Sequence, residues 1–167
     1  MIAYGDRVRG FLAVPENQRG LFGAEILGHE RYGLVQHTLD LVAKFAAYGY
    51  IGLAPDMFSR WGGDKEALTR GDISVRISDV DIRSDMGDSL DHLLTHPQMD
   101  PDRICAMWVC QSGDYPLVLN SVRHEIAANI VIYGGAQASK WEVNQERPEP
   151  YEFILERDQA PGLGNLG

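Results

Sequence analysis

Cys110 is the residue best placed to carry covalent chemistry. It follows the apolar run 104–109 and precedes a segment, 114–124, that is predicted to be helical. A cysteine at such a strand-to-helix turn lies near free backbone N–H groups and the positive end of the helix dipole, which favour a thiolate. The same N–H groups can hold the negative oxygen that forms when a carbonyl is attacked. The sequence therefore predicts a nucleophilic cysteine, and the alternative is a buried structural thiol.

Two other polar loops also follow apolar runs. The loop His29–Gly33 comes after the run 21–28, and Asp56 comes after the run 50–55. Ligands of open α/β sheets gather at the carboxyl ends of the strands, where such loops lie. Glu30 is therefore a candidate site residue, with a solvated loop position or a surface ion pair as the alternative. Asp56 is expected to cap a turn.

The segments that must position these loops alternate between apolar runs and helical repeats. A period of 3.6 residues predicts one helix from Val35 and a second from Ser78 to the residue before Pro97. Parallel strands that are covered on both faces appear as continuous apolar runs. The alternation therefore predicts an α/β fold, a three-layer sandwich with a mostly parallel sheet. The C-terminal run 160–167, APGLGNLG, has the place of a further strand but contains too many glycines for one. The predicted strands are 7–14, 21–28, 50–55, 104–109 and 127–133. Shorter helices are predicted within 59–75, over 114–124 and over 150–157.

The composition excludes several classes of protein. The chain has 167 residues and a formal net charge of −9, so it is repelled by phosphate backbones and is not expected to bind nucleic acid. It contains no apolar run near the roughly 20 residues of a membrane-spanning helix, and its N-terminus has no apolar signal core. Cys105 and Cys110 form neither a disulfide framework nor a zinc pattern. We expect a soluble, cytoplasmic protein that uses no metal or cofactor.

Four stretches of the sequence resemble a known family. They are HERYGL at 29–34, LDLVAKFAAYGY at 39–50, IGLAPDMF at 51–58 and PDRICAMWVCQSG at 101–113. Together they resemble the dienelactone hydrolase family of α/β-hydrolases, over nearly the whole chain. The resemblance implies an α/β-hydrolase fold and hydrolysis of a small-molecule carboxylic ester or lactone through an acyl-enzyme.

The resemblance also implies roles for individual residues. Cys110 aligns with the family's nucleophile, and Glu30 aligns with the glutamate that lies near the thiol. The backbone N–H groups of Gln111 and Arg31 align with the oxyanion hole. Arg60 carries a positive charge that could attract an anionic substrate. The further candidates for substrate binding are His29, Tyr32 and Arg60.

The sequence departs from the family's pattern at the nucleophile and after it. Trp108 and Ser112 stand where the turn at the nucleophile usually has glycines. The family's acid and histidine follow the nucleophile, but the only later histidine is His124, which is predicted to lie on the helix behind the turn. We therefore expect residues 1–167 to form the N-terminal two-thirds of one α/β-hydrolase domain, incomplete at its C-terminus.

Two functions remain open at this point. An ester or lactone hydrolase that lacks its general base should deacylate slowly, since a base contributes typically 10²- to 10⁴-fold. The alternative is a hydrolase scaffold without turnover that acts by binding, with an open sheet edge where a second copy could pair as a homo-oligomer.

Overall fold

A computed structural model describes residues 1–16, 19–110, 113–134, 141–158 and 160–165 of the chain. These residues form one seven-stranded sheet and five α-helices. The strands are β1 (Ile2–Tyr4), β2 (Val8–Ala13), β3 (Phe22–Leu27), β4 (Ile51–Asp56), β5 (Met99–Val109), β6 (Ile126–Ile132) and β7 (Gly162–Asn165). The helices are α1 (Gln36–Ala47), α2 (Lys65–Arg70), α3 (Asp79–Leu94), α4 (Tyr115–Asn120) and α5 (Tyr151–Arg157).

The sheet confirms the predicted mostly parallel α/β architecture. Its strand order is β1-β2-β4-β3-β5-β6-β7. Strands β4, β3, β5, β6 and β7 run parallel, while β2 runs antiparallel to its two neighbours, β4 and the edge strand β1. Because β3, β5 and β6 are parallel, their carboxyl ends lie at the same edge of the sheet. The loops predicted to carry chemistry follow two of these three strands.

Strand β7 shows that one expectation was wrong, namely that 160–167 holds too many glycines for a strand. It pairs in parallel with β6 along four residues. The Asn129 N–H donates to the Pro161 carbonyl at 3.1 Å, and the Asn129 side-chain amide donates to the Asp158 carboxylate at 3.2 Å. Backbone pairing and a polar anchor at its start therefore hold this strand, and the strand propensity of its residues matters little.

The two faces of the sheet carry different cores. Ile26 and Trp108 belong to the larger cluster, which includes Met86 of α3. Their strand neighbours Leu27 and Met107 belong to a second cluster around Val42 of α1. Successive strand residues point to opposite faces, so the sheet lies between α1 on one side and α3 with α4 on the other. These are the three layers that the sequence predicts.

Helix α3 begins where its sequence predicts. The Ser78 side chain accepts a hydrogen bond from the Asp81 N–H at 3.1 Å, which satisfies one of the free donors of the first turn. Helix α4 is shorter than the predicted 114–124, and β5 begins at Met99, before the predicted strand 104–109. These differences change element lengths and leave the topology intact.

Candidate active site

The backbone turns sharply where β5 ends. Cys110 follows the last residue of β5 and has a φ of 66°, in the left-handed region that non-glycine residues rarely adopt. The Gly113 N–H donates to the Cys110 carbonyl at 3.2 Å and closes the turn. Such a strained strand-to-helix turn presents a nucleophile at the top of an α/β-hydrolase sheet. The half-buried Cys110 has the backbone geometry that this role requires.

The turn fits because glycines remove side chains at two close contacts. A Cβ atom on Gly113 would lie 2.4 Å from the Cα of Gly134, so the turn packs directly against the chain that leaves β6. A Cβ on Gly28 would lie 1.7 Å from Nε1 of the buried Trp108. The large side chain that replaces a usual glycine before the nucleophile therefore occupies space that Gly28 leaves open.

The loop after β3 is fixed by His29. Its ring is buried, with Nδ1 2.7 Å from the Glu30 carbonyl oxygen and Nε2 3.0 Å from the Met57 backbone nitrogen. A carbonyl only accepts and an N–H only donates, so Nδ1 carries the proton and Nε2 accepts. Burial lowers the pKa of His29, which favours the neutral ring. His29 therefore joins the loop after β3 to the loop after β4 and uses both ring nitrogens in backbone contacts.

The Arg31 backbone N–H faces no acceptor among the residues that the structure describes. Its guanidinium is engaged elsewhere, because Nη2 donates to the Gly71 carbonyl at 2.8 Å. The Gln111 N–H, the second predicted oxyanion donor, lies outside the described residues, as does Ser112. Of the two predicted oxyanion donors, the Arg31 N–H is therefore described and available.

A pocket of about 190 Å³ opens at the carboxyl ends of β3, β5 and β6. Its walls include Val109, which immediately precedes Cys110, together with Glu30. Most of the lining surface is apolar. Among the described lining residues, Glu30 contributes a carboxyl group and His37 an imidazole. The structure therefore brings Glu30 and the end of β5 together around one small apolar space.

Sequence reasoning missed two residues of this pocket, His37 and Tyr133. His37 lies in the first turn of α1, and Tyr133 directly follows β6. Both positions could have been found from the predicted topology, because a residue just before a crossover helix or just after a parallel strand lies at the carboxyl edge of the sheet.

Other predicted residues lie away from this pocket. The Arg60 guanidinium contacts Asp85 at 2.7 Å, Asp6 at 3.6 Å and Asp88 at 3.9 Å, and it lines a different pocket. Tyr32 lines a further separate pocket. The structure thus gives Arg60 an anionic environment of its own.

Asp56 lies as the sequence predicts, and His124 lies far from Cys110. Asp56 caps a turn, with its carboxylate accepting from the Phe58 N–H at 3.0 Å. His124 precedes β6 and is exposed. Because β5 and β6 are parallel, His124 lies at the edge of the sheet opposite to Cys110.

A buried charged cluster supports the turn from behind. Arg147 is 2% exposed; it donates to the Asp114 carboxylate, and its Nε lies 3.4 Å from an Asp79 oxygen. Its guanidinium stacks over the Trp141 ring at 3.6 Å. Burial raises the pKa of Asp79. The cluster ties the start of α3, the start of α4 and the segment 141–150 together.

The described residues hold no group of three or more histidine, cysteine or acidic side chains arranged to bind a metal ion. Within the same residues, no helix has the length and apolar character to cross a membrane.

The sequence matches a known family model and named proteins. The model of the dienelactone hydrolase family matches residues 8–158. A "Putative carboxymethylenebutenolidase" of Yersinia pestis is 21% identical over 78% of this chain and 50% of its own length. A protein of the same name from Methylorubrum extorquens is 22% identical over 96% of this chain and 55% of its own length. The chain thus spans about half the length of these curated relatives.

Solved structures show the same fold. A crystal structure described as "Putative Dienelactone Hydrolase" from Klebsiella pneumoniae superimposes with a TM-score of 0.80 at 22% identity, covering 97% of this chain and 68% of that one. Est1E from Butyrivibrio proteoclasticus superimposes with a TM-score of 0.68 at 14% identity, over 96% of this chain and 75% of that one. These similarities establish the α/β-hydrolase fold.

Proposed function

The chain belongs to the dienelactone hydrolase family, and we propose that it cleaves small carboxylic esters or lactones with Cys110 as nucleophile. The observation that carries the proposal is the left-handed backbone of Cys110 at the carboxyl end of β5. This turn adjoins a pocket and lies at the same sheet edge as the loop with an available Arg31 N–H. A strained residue at such a position is characteristic of a presented nucleophile.

The proposed reaction begins when the Cys110 thiol loses its proton to solvent water and the thiolate sulfur attacks the ester carbonyl carbon. A C–S bond forms, and the carbonyl electron pair moves to oxygen, where the Arg31 N–H and the Gln111 N–H donate hydrogen bonds. The oxyanion then collapses, the alkoxide or enolate leaves and takes up a proton, and a thioester remains. Glu30, on the pocket wall, is the group proposed to influence ionisation of the thiol.

The pocket supports a small, uncharged acyl group. Its volume of about 190 Å³ leaves room for a few carbon atoms, and its lining surface is mostly apolar. Glu30 would repel a carboxylate on the substrate. Arg60 gives no support for an anionic substrate, because its guanidinium already contacts three carboxylates.

Hydrolysis of the thioester needs a base to activate water. His124 lies at the wrong edge of the sheet, whereas His37 lines the pocket. We propose slow deacylation, with His37 as the described imidazole available to assist it. His37→Gln should then leave the first acylation unchanged and reduce any steady turnover.

The test is turnover of p-nitrophenyl acetate by the 167-residue chain, with burst and steady phases resolved. Cys110→Ala is the test variant and Cys105→Ala is the matched control. A burst of one nitrophenolate per chain that is lost only in Cys110→Ala supports the nucleophile. Steady turnover after the burst indicates a working base. The absence of both a burst and steady turnover would contradict the proposal. It would favour a scaffold that acts by binding or by pairing with a second copy.

A further inference from the structure

We infer that His29 is a positioning residue of the oxyanion hole. Its imidazole fixes the peptide group between Glu30 and Arg31, so that the Arg31 N–H points to the place where the substrate oxyanion forms. This role rests on the proposed function, in which that N–H stabilises the oxyanion. The sequence predicts that His29 contacts substrate; in the structure its ring nitrogens lie against backbone atoms of Glu30 and Met57, and Nε2 also lies 4.0 Å from the Asp56 carboxylate.

The geometry of one peptide group carries the first step. The Glu30 carbonyl and the Arg31 N–H belong to the same planar trans peptide, in which the two groups point in opposite directions. The carbonyl accepts from His29 Nδ1 at 2.7 Å and from the Gly33 N–H at 3.1 Å. Two donors therefore fix the carbonyl, and the Arg31 N–H must point away from them.

The second ring nitrogen fixes the ring itself. The Met57 N–H donates to His29 Nε2 at 3.0 Å, so this nitrogen must remain unprotonated and Nδ1 must carry the hydrogen. The Phe58 ring lies against the imidazole, with 5.0 Å between ring centroids. The ring is 3% exposed. The loop after β4 thereby determines which nitrogen of His29 donates to the loop after β3.

This arrangement explains why a buried polar ring stands at the start of the loop. An oxyanion donor stabilises the transition state only if it is oriented in advance, and removal of one such donor typically costs 10²- to 10³-fold in rate. The predicted partner donor is the Gln111 N–H of the turn. His29 provides the orientation on the other side of the site without touching the substrate.

Two variants separate the two hydrogen bonds of His29. In His29→Asn the side-chain amide can take the place of Nδ1 and donate to the Glu30 carbonyl, while the bond from Met57 is lost. In His29→Gln the longer side chain can accept from the Met57 N–H, while the donor to Glu30 is lost. Both variants remove the ring and one hydrogen bond, so each is the structural control for the other.

Two reactions of Cys110 distinguish a loss of Arg31 N–H orientation from a general disruption of the site. Acylation by p-nitrophenyl acetate forms an oxyanion, whereas alkylation by iodoacetamide forms none. We expect His29→Gln to slow acylation by about 10²-fold or more, mainly in the rate at saturation, and to leave alkylation nearly unchanged. His29→Asn should retain acylation within about tenfold of the unsubstituted chain.

Several outcomes would overturn the inference. Equal losses in the two variants, or parallel losses of acylation and alkylation, would show that His29 only supports packing. An unsubstituted chain whose Cys110 alkylates but does not acylate would contradict the proposed function, and the role of His29 with it. Nitrogen NMR of the unsubstituted chain tests the same geometry directly and does not depend on the folding of any variant. The proton of His29 should reside on Nδ1 at neutral pH, and a proton on Nε2 would contradict the geometry.

Discussion

Two cysteine–glutamate pairs on neighbouring strands differ in what they can do. Glu25 of β3 lies directly opposite Cys105 of β5 in the middle of the sheet. Five residues further along the chain, Glu30 and Cys110 follow the ends of the same two strands. Burial raises the pKa of Glu25 to about 7 and that of the Cys105 thiol to about 12, so Cys105 remains a protonated, unreactive thiol near neutral pH.

The second pair lies where the backbone leaves the sheet. Cys110 has a left-handed backbone, and Glu30 lines the pocket at the carboxyl edge. Cys105 instead lies within β5, paired with β3 on one side and with β6 on the other. The same two residue types therefore form a buried acid and thiol in one place and a candidate site in the other. The position along the strand decides the difference.

The largest expected difference is in thiol reactivity. With a pKa of about 12, roughly 10⁻⁵ of Cys105 is thiolate at pH 7, so its alkylation should be negligible in the folded chain. Brief treatment with iodoacetamide followed by mass spectrometry should find one label, on Cys110. The Cys105→Ala variant should label at the unchanged rate. Comparable labelling of both thiols would contradict the predicted difference in reactivity between Cys105 and Cys110.

Removal of Arg147 should destabilise the support of the turn. Arg147→Met removes the nearest counter-charge of the buried Asp79 and Asp114 and leaves Asp114 only the Arg76 guanidinium at 3.8 Å; breaking a buried ion pair typically costs about 3–5 kcal/mol. The control is Arg157→Met, whose side chain is 42% exposed and whose ion pair should contribute about 1 kcal/mol or less. Urea unfolding measures both. Equal free energies of unfolding for the two variants would show that the cluster does not support the turn.

The central pair predicts a pH dependence of stability. Folding raises the pKa of Glu25 from 4.5 to about 7, so the folded chain binds a proton that the unfolded chain releases between these values. Stability should therefore fall by about 3 kcal/mol as the pH rises through this window, and remain lower above it. Glu25→Gln should remove this loss in urea titrations. The control Glu66→Gln, on the surface of α2, should retain it.

The smallest expected effect concerns the charge of the substrate. Glu30 should disfavour a carboxylate in the pocket, so acylation by neutral p-nitrophenyl butyrate should exceed that by anionic p-nitrophenyl hemisuccinate by about tenfold. Glu30→Gln should narrow this ratio, while Arg60→Gln should leave it unchanged. A faster reaction of the anionic ester would contradict the proposed substrate class.

The parallel strands and the main helices were predictable because burial is periodic along the chain. Continuous apolar runs predicted β3, β4, β5 and β6, and helical spacing predicted α1 and α3. Strand β7 was not predictable from its own residues, since its pairing depends on β6 and on contacts of Asn129 with Asp158 and Pro161. The short strand β1 was missed for a related reason, because it forms only by pairing with β2.

Within the candidate site, the sequence predicted positions better than contacts. Cys110 and the loop at Glu30 could be placed at one sheet edge because each follows the carboxyl end of a predicted parallel strand. The role of His29 could not, because it depends on Met57, which is distant in sequence. The space for Trp108 above Gly28 likewise requires knowledge of which strands are neighbours. Both are long-range contacts that carry no local signal.

The most direct test of the account is to locate the acyl group. The chain is mixed with p-nitrophenyl acetate, quenched in acid, digested and sequenced by fragmentation mass spectrometry. The account predicts one acetyl group on Cys110, equal in amount to the nitrophenolate released in the burst, and none on Cys105. An acetyl group on another residue, or an undiminished burst in Cys110→Ala, would contradict the claim that the end of β5 presents the nucleophile.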